Sequence, residues 1–225
     1  MRLHTLITPA TLTFLCLGLL CLALTGCGTA DPTRYKNLDT SAQLVPNPKD
    51  DGGRVPYRYA AAVNWHAYDK IIIDPVTIYS GDDQQFGDMD PKDKAELAHY
   101  MQRQFNKALS QQRQLMQSPS DGTLRVKLTL TGAETNTPVV TTLTHFDIAG
   151  GLYNGVQAIR GHEGAMGGAV MYSVEIYDAQ TSRLLNAYIS KRYPRAMDIG
   201  STIGSLAGAK TGIEKGAEAL AEELR

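Results

Sequence analysis

The sequence predicts an α+β fold: an antiparallel sheet of about four strands with helices packed on one face, in the order β-α-β-β-β-α. Three observations predict it. Leu124 to Leu130 alternate apolar and polar residues without a break, the pattern of a half-buried antiparallel strand. Leu97, Met101, Phe105 and Ala108/Leu109 fall four apart, the pattern of a helix with one core-facing side. Strand-like and helix-like stretches also fail to alternate as a doubly wound parallel sheet would require.

The first thirty residues predict an address rather than a fold. Arg2 gives a short basic start, and Ala10 to Leu24 is almost wholly apolar. Such a run of about fifteen residues is an export signal's apolar region, since a membrane-spanning helix needs about twenty. Leu24-Thr25-Gly26-Cys27 follows. The small residues Thr25 and Gly26 let an extended backbone enter a peptidase cleft, and the Cys27 thiol can carry a thioether-linked diacylglycerol. This segment resembles a bacterial lipobox, which implies cleavage between Gly26 and Cys27 and a lipid anchor on Cys27. Two or three acyl chains make attachment effectively stable. Gly28, not an aspartate, follows the cysteine, as in lipoproteins sorted to the outer membrane. The expected location is therefore the cell outer membrane, lipid-anchored (palmitate among the acyl chains) and facing the periplasm.

Three parts are expected: a signal peptide over 1–26, a lipidated N-terminus and flexible tether over 27–56, and one α+β domain over 57–225. The removed segment carries one basic residue and no acid, so the mature chain has 21 basic and 23 acidic residues and a formal net charge of −2. That balance excludes a nucleic-acid footprint and a polybasic membrane patch. Cys16 and Cys21 lie in the removed segment, so Cys27 is the one cysteine of the mature chain. Neither an internal disulfide nor a catalytic thiol remains. Pro32, Pro46, Pro48 and Pro56, with the polar run Lys49-Asp50-Asp51-Gly52-Gly53, predict the tether.

From Tyr57 the elements follow in order. Tyr57, Tyr59, Trp65 and Tyr68 are expected to cover one edge of the core. Ile71-Ile72-Ile73 predicts a buried strand that ends at Pro75. Asp90-Pro91 predicts a helix start, with aspartate as cap and proline in the first turn, running to about Arg113. Residues 132–168 are glycine-rich and irregular, a long excursion. Val170, Tyr172, Val174 and Ile176 share one face of a strand, and Asp178 turns the chain by bonding its own backbone. Leu185, Ala187, Ile189 and Tyr193 alternate on the return strand, and residues 199–225 close the chain as helix.

Asp69-Lys70-Ile71-Ile72-Ile73-Asp74-Pro75-Val76, the helix opening Asp90-Pro91-Lys92-Asp93, and Gly168-Ala169 with Glu175-Ile176-Tyr177-Asp178-Ala179-Gln180-Thr181 together carry a resemblance. With the lipobox, they resemble the DUF3313 family of bacterial lipoproteins over roughly residues 57–195. The family is uncharacterised, so the resemblance implies an architecture and no reaction. One departure stands in the hairpin turn, where Ser182 replaces the expected glycine.

Residues for chemistry are sparse. His162-Glu163 lacks a zincin's second histidine, and none of His66, His99 or His145 has metal-set spacing. The Gly-x-Ser-x-Gly elbow of a serine hydrolase does not occur. Gly208-Ala209-Lys210-Thr211 is only the tail of a phosphate loop. Asp82, Asp83, Asp88 and Asp90 share a loop without calcium-loop spacing. No catalytic, cofactor or metal residue is expected, and the chain is expected not to be an enzyme.

One pattern does stand out. Gly200, Gly204, Gly208, Gly212 and Gly216 recur every fourth residue. Five glycines inside a helix would cost about 5 kcal/mol relative to alanine. They form a ridge where another backbone can come close: this domain's own sheet or first helix, or else a partner helix or transient membrane contact. The expected partners are the membrane through the N-terminal lipid, an envelope protein, and, through the ridge, a second copy of the chain; nucleic acid is excluded. The expected function is a protein-interaction module of the envelope. The alternatives are an auxiliary subunit of a transport or secretion assembly, oligomerising through the ridge, and an unrecognised hydrolase.

Overall fold

The structure is a computed structural model of the 225-residue chain, and it describes residues 31–50, 52–136, 168–194 and 204–225. Strands are β1 (Val45–Pro46), β2 (Tyr57–Ala60), β3 (Lys70–Ile73), β4 (Thr77–Ile78), β5 (Gln114–Leu115), β6 (Thr123–Glu134), β7 (Ala169–Asp178) and β8 (Leu184–Arg192). Helices are α1 (Pro91–Leu109) and α2 (Ala207–Glu223). The fold is mixed α+β, as expected, but the sheet differs in size and sense. It has eight strands in the order β1-β2-β8-β7-β6-β3-β5, with β4 also paired to β6. β3 and β4 run parallel to β6, and β5 runs parallel to β3. A parallel pair needs a long crossover, and α1 supplies it between β3 and β6. The expectation of a small antiparallel sheet is therefore corrected.

β6 is the most regular element. Leu124, Val126, Leu128 and Leu130 are buried against the helices, as the alternation predicts. β7 adds Val170, Tyr172, Val174 and Ile176 to the same core. α1 contributes Leu97, Met101, Phe105 and Leu109, and Phe105 meets Tyr172 edge to face at 5.8 Å. Asp90 caps α1 by accepting from Lys92 N at 2.7 Å, with Pro91 in the first turn. The helix ends at Leu109, before Arg113. Arg113 does other work: its guanidinium is buried and donates to the carbonyls of Tyr68 (3.0 Å), Trp65 (3.4 Å) and Leu224. It thereby satisfies the C-terminal end of α2 and ties it to the turn before β3.

The glycine ridge resolves inward. α2 begins at Ala207, and Gly208, Gly212 and Gly216 are buried. A Cβ on Gly212 would lie 2.7 Å from the Arg192 carbonyl, and one on Gly216 would strike the Tyr172 hydroxyl. The ridge is thus where α2 lies on its own sheet, and these glycines are not free for a partner helix. Gly204 precedes the helix with φ +102°. Gly200 lies outside the described residues, as do Gly26 and Cys27.

The expected tether is also corrected. Tyr35 and Leu44 are fully buried and join Tyr79, Ala187 and Ile189 in a second core, on the sheet face away from the helices. Residues 31–50 form an arm across that face. It lacks periodicity because it docks as loop, one side chain at a time. Thr40 Oγ1 donates to Glu175 (2.7 Å), and the Tyr35 hydroxyl donates to Gln85. The four aromatics divide between the cores: Tyr57 and Tyr59 join the second, Trp65 and Tyr68 the first. The glycine-rich excursion expected over 132–168 lies, beyond its two ends, outside the described residues.

The hairpin turn behaves as read. Asp178 Oδ1 accepts from Gln180 N (3.1 Å) and Thr181 N (2.8 Å), and Tyr68 donates to Oδ2 (3.0 Å). Backbone donation from Thr181, foremost, holds the Asp178 carboxyl below the ordinary range. Ser182 sits at φ +59°, which explains why glycine is the natural residue there.

Two outcomes follow for stability. Leu44→Ala lowers the unfolding free energy by about 2–5 kcal/mol in urea denaturation, because the arm's leucine is core; a loss under 0.5 kcal/mol would mean that the arm is a tether after all. Ser182→Gly raises it by about 0.5–1 kcal/mol, by removing left-handed strain from a side chain.

Candidate functional site

The edge of the sheet beside β6 is broken, and the break makes a cleft. β3 stops because Pro75 has no backbone N–H to give the ladder. Asp74 N still donates to the Val126 carbonyl (3.0 Å), and pairing resumes at Thr77 with Thr129. Ile73 pairs with Val126, so four steps of the edge strand match three of β6. The extra residue pushes the edge outward. A cleft of about 630 Å³ opens over the polar face of β6, roofed by Asn37, Leu38 and Asp39 of the arm and closed at one end by Tyr79, Ser80 and Gly81.

Charges in the cleft are arranged in pairs. Arg125 Nε donates to both Asp74 oxygens, at 3.0 and 2.9 Å. That carboxylate holds Arg125 even more firmly protonated than usual. Lys127 Nζ lies 3.6 Å from Asp39 and 5.2 Å over the Tyr177 ring. Glu175, 4% exposed, is opposite Lys127 in the register and accepts from Thr40 and from the Tyr177 hydroxyl at 3.1 Å. Burial, then the Glu175 charge, pushes the Tyr177 phenol well above its ordinary range. Thr77 and Thr129 hydroxyls meet at 3.1 Å on the floor.

A second groove, about 460 Å³ and more apolar, lies on the other side of the same edge, between β3–β4 and α1. Ile73, Val76, Ile78 and Ala98 line it, with His99 and Gln102. Gln102 Oε1 accepts the Val76 N–H at 2.7 Å, so this edge is blunted against strand addition. Ile78 stands 40% exposed on the rib between the two grooves.

The arrangement suits recognition of a polar or zwitterionic surface. Among the described residues no histidine or cysteine lines the cleft, and its carboxylates are held by cations or hydroxyls. Among the described residues, no three His, Cys, Asp or Glu side chains converge as a metal set. In the loop after Tyr79, Asp83 accepts from the Tyr79 hydroxyl (2.7 Å) and Lys36 N (2.9 Å), and Asp90 caps α1. No helix among the described residues is long and apolar enough to cross a membrane.

In the sequence the alternation of β6 marks a half-buried strand and Pro75 marks a strand end; the cleft between them depends on the arm, which no local pattern in the sequence signals.

A family model described as "Protein of unknown function (DUF3313)" matches residues 34–220. The chain belongs to the DUF3313 family. The match begins at the arm and takes in the cleft, both cores and nearly all of α2, so the arm is part of the family's domain. No curated protein matches the chain. Among solved structures, the PelC dodecamer from Paraburkholderia phytofirmans is similar at 8% identity and TM-score 0.36, covering 72% of this chain and 94% of that one. The hypothetical protein CT253 from Chlamydia trachomatis is similar at 10% identity and TM-score 0.34, covering 70% and 94%. Both are remote likenesses.

Glu175 is the buried cleft residue to which the arm bonds through Thr40. Glu175→Ala leaves Thr40 and Tyr177 hydroxyls without their acceptor and costs about 1–3 kcal/mol. Limited proteolysis checks it: cleavage within residues 31–50 accelerates in Glu175→Ala, whereas an unchanged pattern would mean that the arm is held without this carboxylate.

Proposed function

We propose that this DUF3313 protein is an envelope lipoprotein, held to the outer membrane by acyl chains on Cys27, that works by contact rather than catalysis. The observation that carries the reading is the run Leu24-Thr25-Gly26-Cys27 directly after an apolar stretch of export-signal length. The domain supports it in kind. The mature chain has no thiol besides the one to be acylated, and the cleft's ionisable groups are spent on one another. Its contact surface is the rib at Ile78 with the groove on either side, and its partner is an envelope protein facing the periplasm. An auxiliary role in a transport or secretion assembly is compatible with the same surface. Oligomerisation through the glycine ridge is not part of the proposal, since Gly212 and Gly216 pack on β7 and β8.

The anchor is tested by growing cells with a labelled fatty acid and comparing wild type with Cys27→Ser. Label on the mature band of wild type, lost together with signal cleavage in Cys27→Ser, is the expected result. An unlabelled, fully processed wild-type protein in the soluble fraction would overturn the anchor.

A further inference from the structure

The arm makes the leash from lipid to domain short, and it fixes which end of the domain is leashed. Asp31 is already part of the folded domain: its carbonyl accepts from Gln85 Nε2 at 2.8 Å. Gln85 is bound to the sheet by its own backbone, with its N–H on the Thr131 carbonyl (2.9 Å) and its carbonyl accepting from Ala133 N (3.2 Å). A Cβ on Gly132 would lie 2.6 Å from that carbonyl, so the two segments touch backbone to backbone. Four peptide steps separate Cys27 from Asp31, and they span at most about 14 Å. β6 then runs away from this point. Its other end, at Leu124, pairs with Asp178 at the β7–β8 turn, eight residues or about 25 Å along the strand from Gly132.

Resting on the lipid-anchor reading, we propose that the pole formed by Asp31 and the loop of residues 81–89 faces the bilayer headgroups, and that the Asp178–Arg183 turn is the pole turned away from them. The described surface gives the lipid little else to hold. Its exposed large apolar side chains are Val45, Ile78 and Leu115, and β1 and β5, which carry the first and last, lie at opposite edges of the sheet. A net charge of −2 supplies no general attraction to anionic lipid. Asp82, Asp83 and Asp88 give the leashed pole acidic side chains, so it sits at the headgroups without entering the hydrocarbon. The rib at Ile78 then faces sideways, open to a partner in the periplasm.

The test uses the full chain, processed in cells and reconstituted into vesicles of phosphatidylethanolamine and phosphatidylglycerol with a headgroup-nitroxide lipid. Asp88→Cys and Gln180→Cys, each labelled with a fluorophore, report the two poles, since Cys27 is the mature chain's one native cysteine. The expected result is quenching several-fold stronger at 88 than at 180, with the excess lost when a flexible ten-residue Gly-Ser insert follows Ala30. Equal quenching, or stronger quenching at 180, in protein that still floats with the vesicles overturns the orientation and leaves the anchor standing. Protein that does not float overturns the anchor, and the orientation with it.

Discussion

The rest of the structure depends on β6 presenting two different faces, one buried under the helices and one half-covered by the arm. Its even-numbered residues, Leu124 to Leu130, are buried among the helices; its odd-numbered residues, Arg125 to Thr131, meet the arm and the cleft. Because side chains alternate with a period of two, a slip of one residue would put leucines under the arm and charges under the helices. Three neighbouring strands hold the register, with β3 and β4 on one side and β7 on the other. At Gly132 the ladder shifts by a residue where Gln85 crosses, and that irregularity joins arm, loop and sheet at one point.

The parts legible in the sequence are those whose stability is local. The alternation in β6, the four-residue spacing in α1, the Asp90-Pro91 start and the Asp178 turn each follow from a short run of residues, and each stands where it was read. The parts that were illegible depend on partners far away in the chain. Ile71 to Ile73 have the same composition whether β3 pairs parallel or antiparallel with β6, and only the α1 crossover decides it. The arm shows the limit more clearly. Its prolines and charges are those of a linker, yet Tyr35 and Leu44 are buried, and burying such side chains contributes about 1.5–3 kcal/mol each. Two apolar residues nine positions apart leave no periodic trace.

The glycines of α2 were legible as a cost without a destination. The structure supplies the compensation: without side chains at 212 and 216, the helix settles onto the Arg192 carbonyl and the Tyr172 ring. Lys210 paired with Glu96 (2.6 Å), and the Tyr100 hydroxyl donating to Glu214, fix α2 to α1 at the same level. Burial and the Glu214 carboxylate push the Tyr100 phenol up to about 12, so it stays a donor across the physiological range. The ridge is an internal seam between α2 and strands β7 and β8.

That edge and the arm are one construction. Pro75 displaces the strand, the displaced strand leaves a cleft over β6, and the arm roofs the cleft through Asp39 and Leu38. The same arm leads back to Cys27. Its grip on the sheet passes through Gln85, whose side chain holds Asp31 and Tyr35 and whose backbone holds Thr131 and Ala133. A pull on the N-terminus is therefore resisted first at Gln85 and the end of β6, before it reaches Thr40, Glu175 and the roof of the cleft. The roof is thus set apart from the N-terminal end of the arm by the Gln85 side chain, which bonds Asp31 and Tyr35 and is itself fixed to β6 by its own backbone.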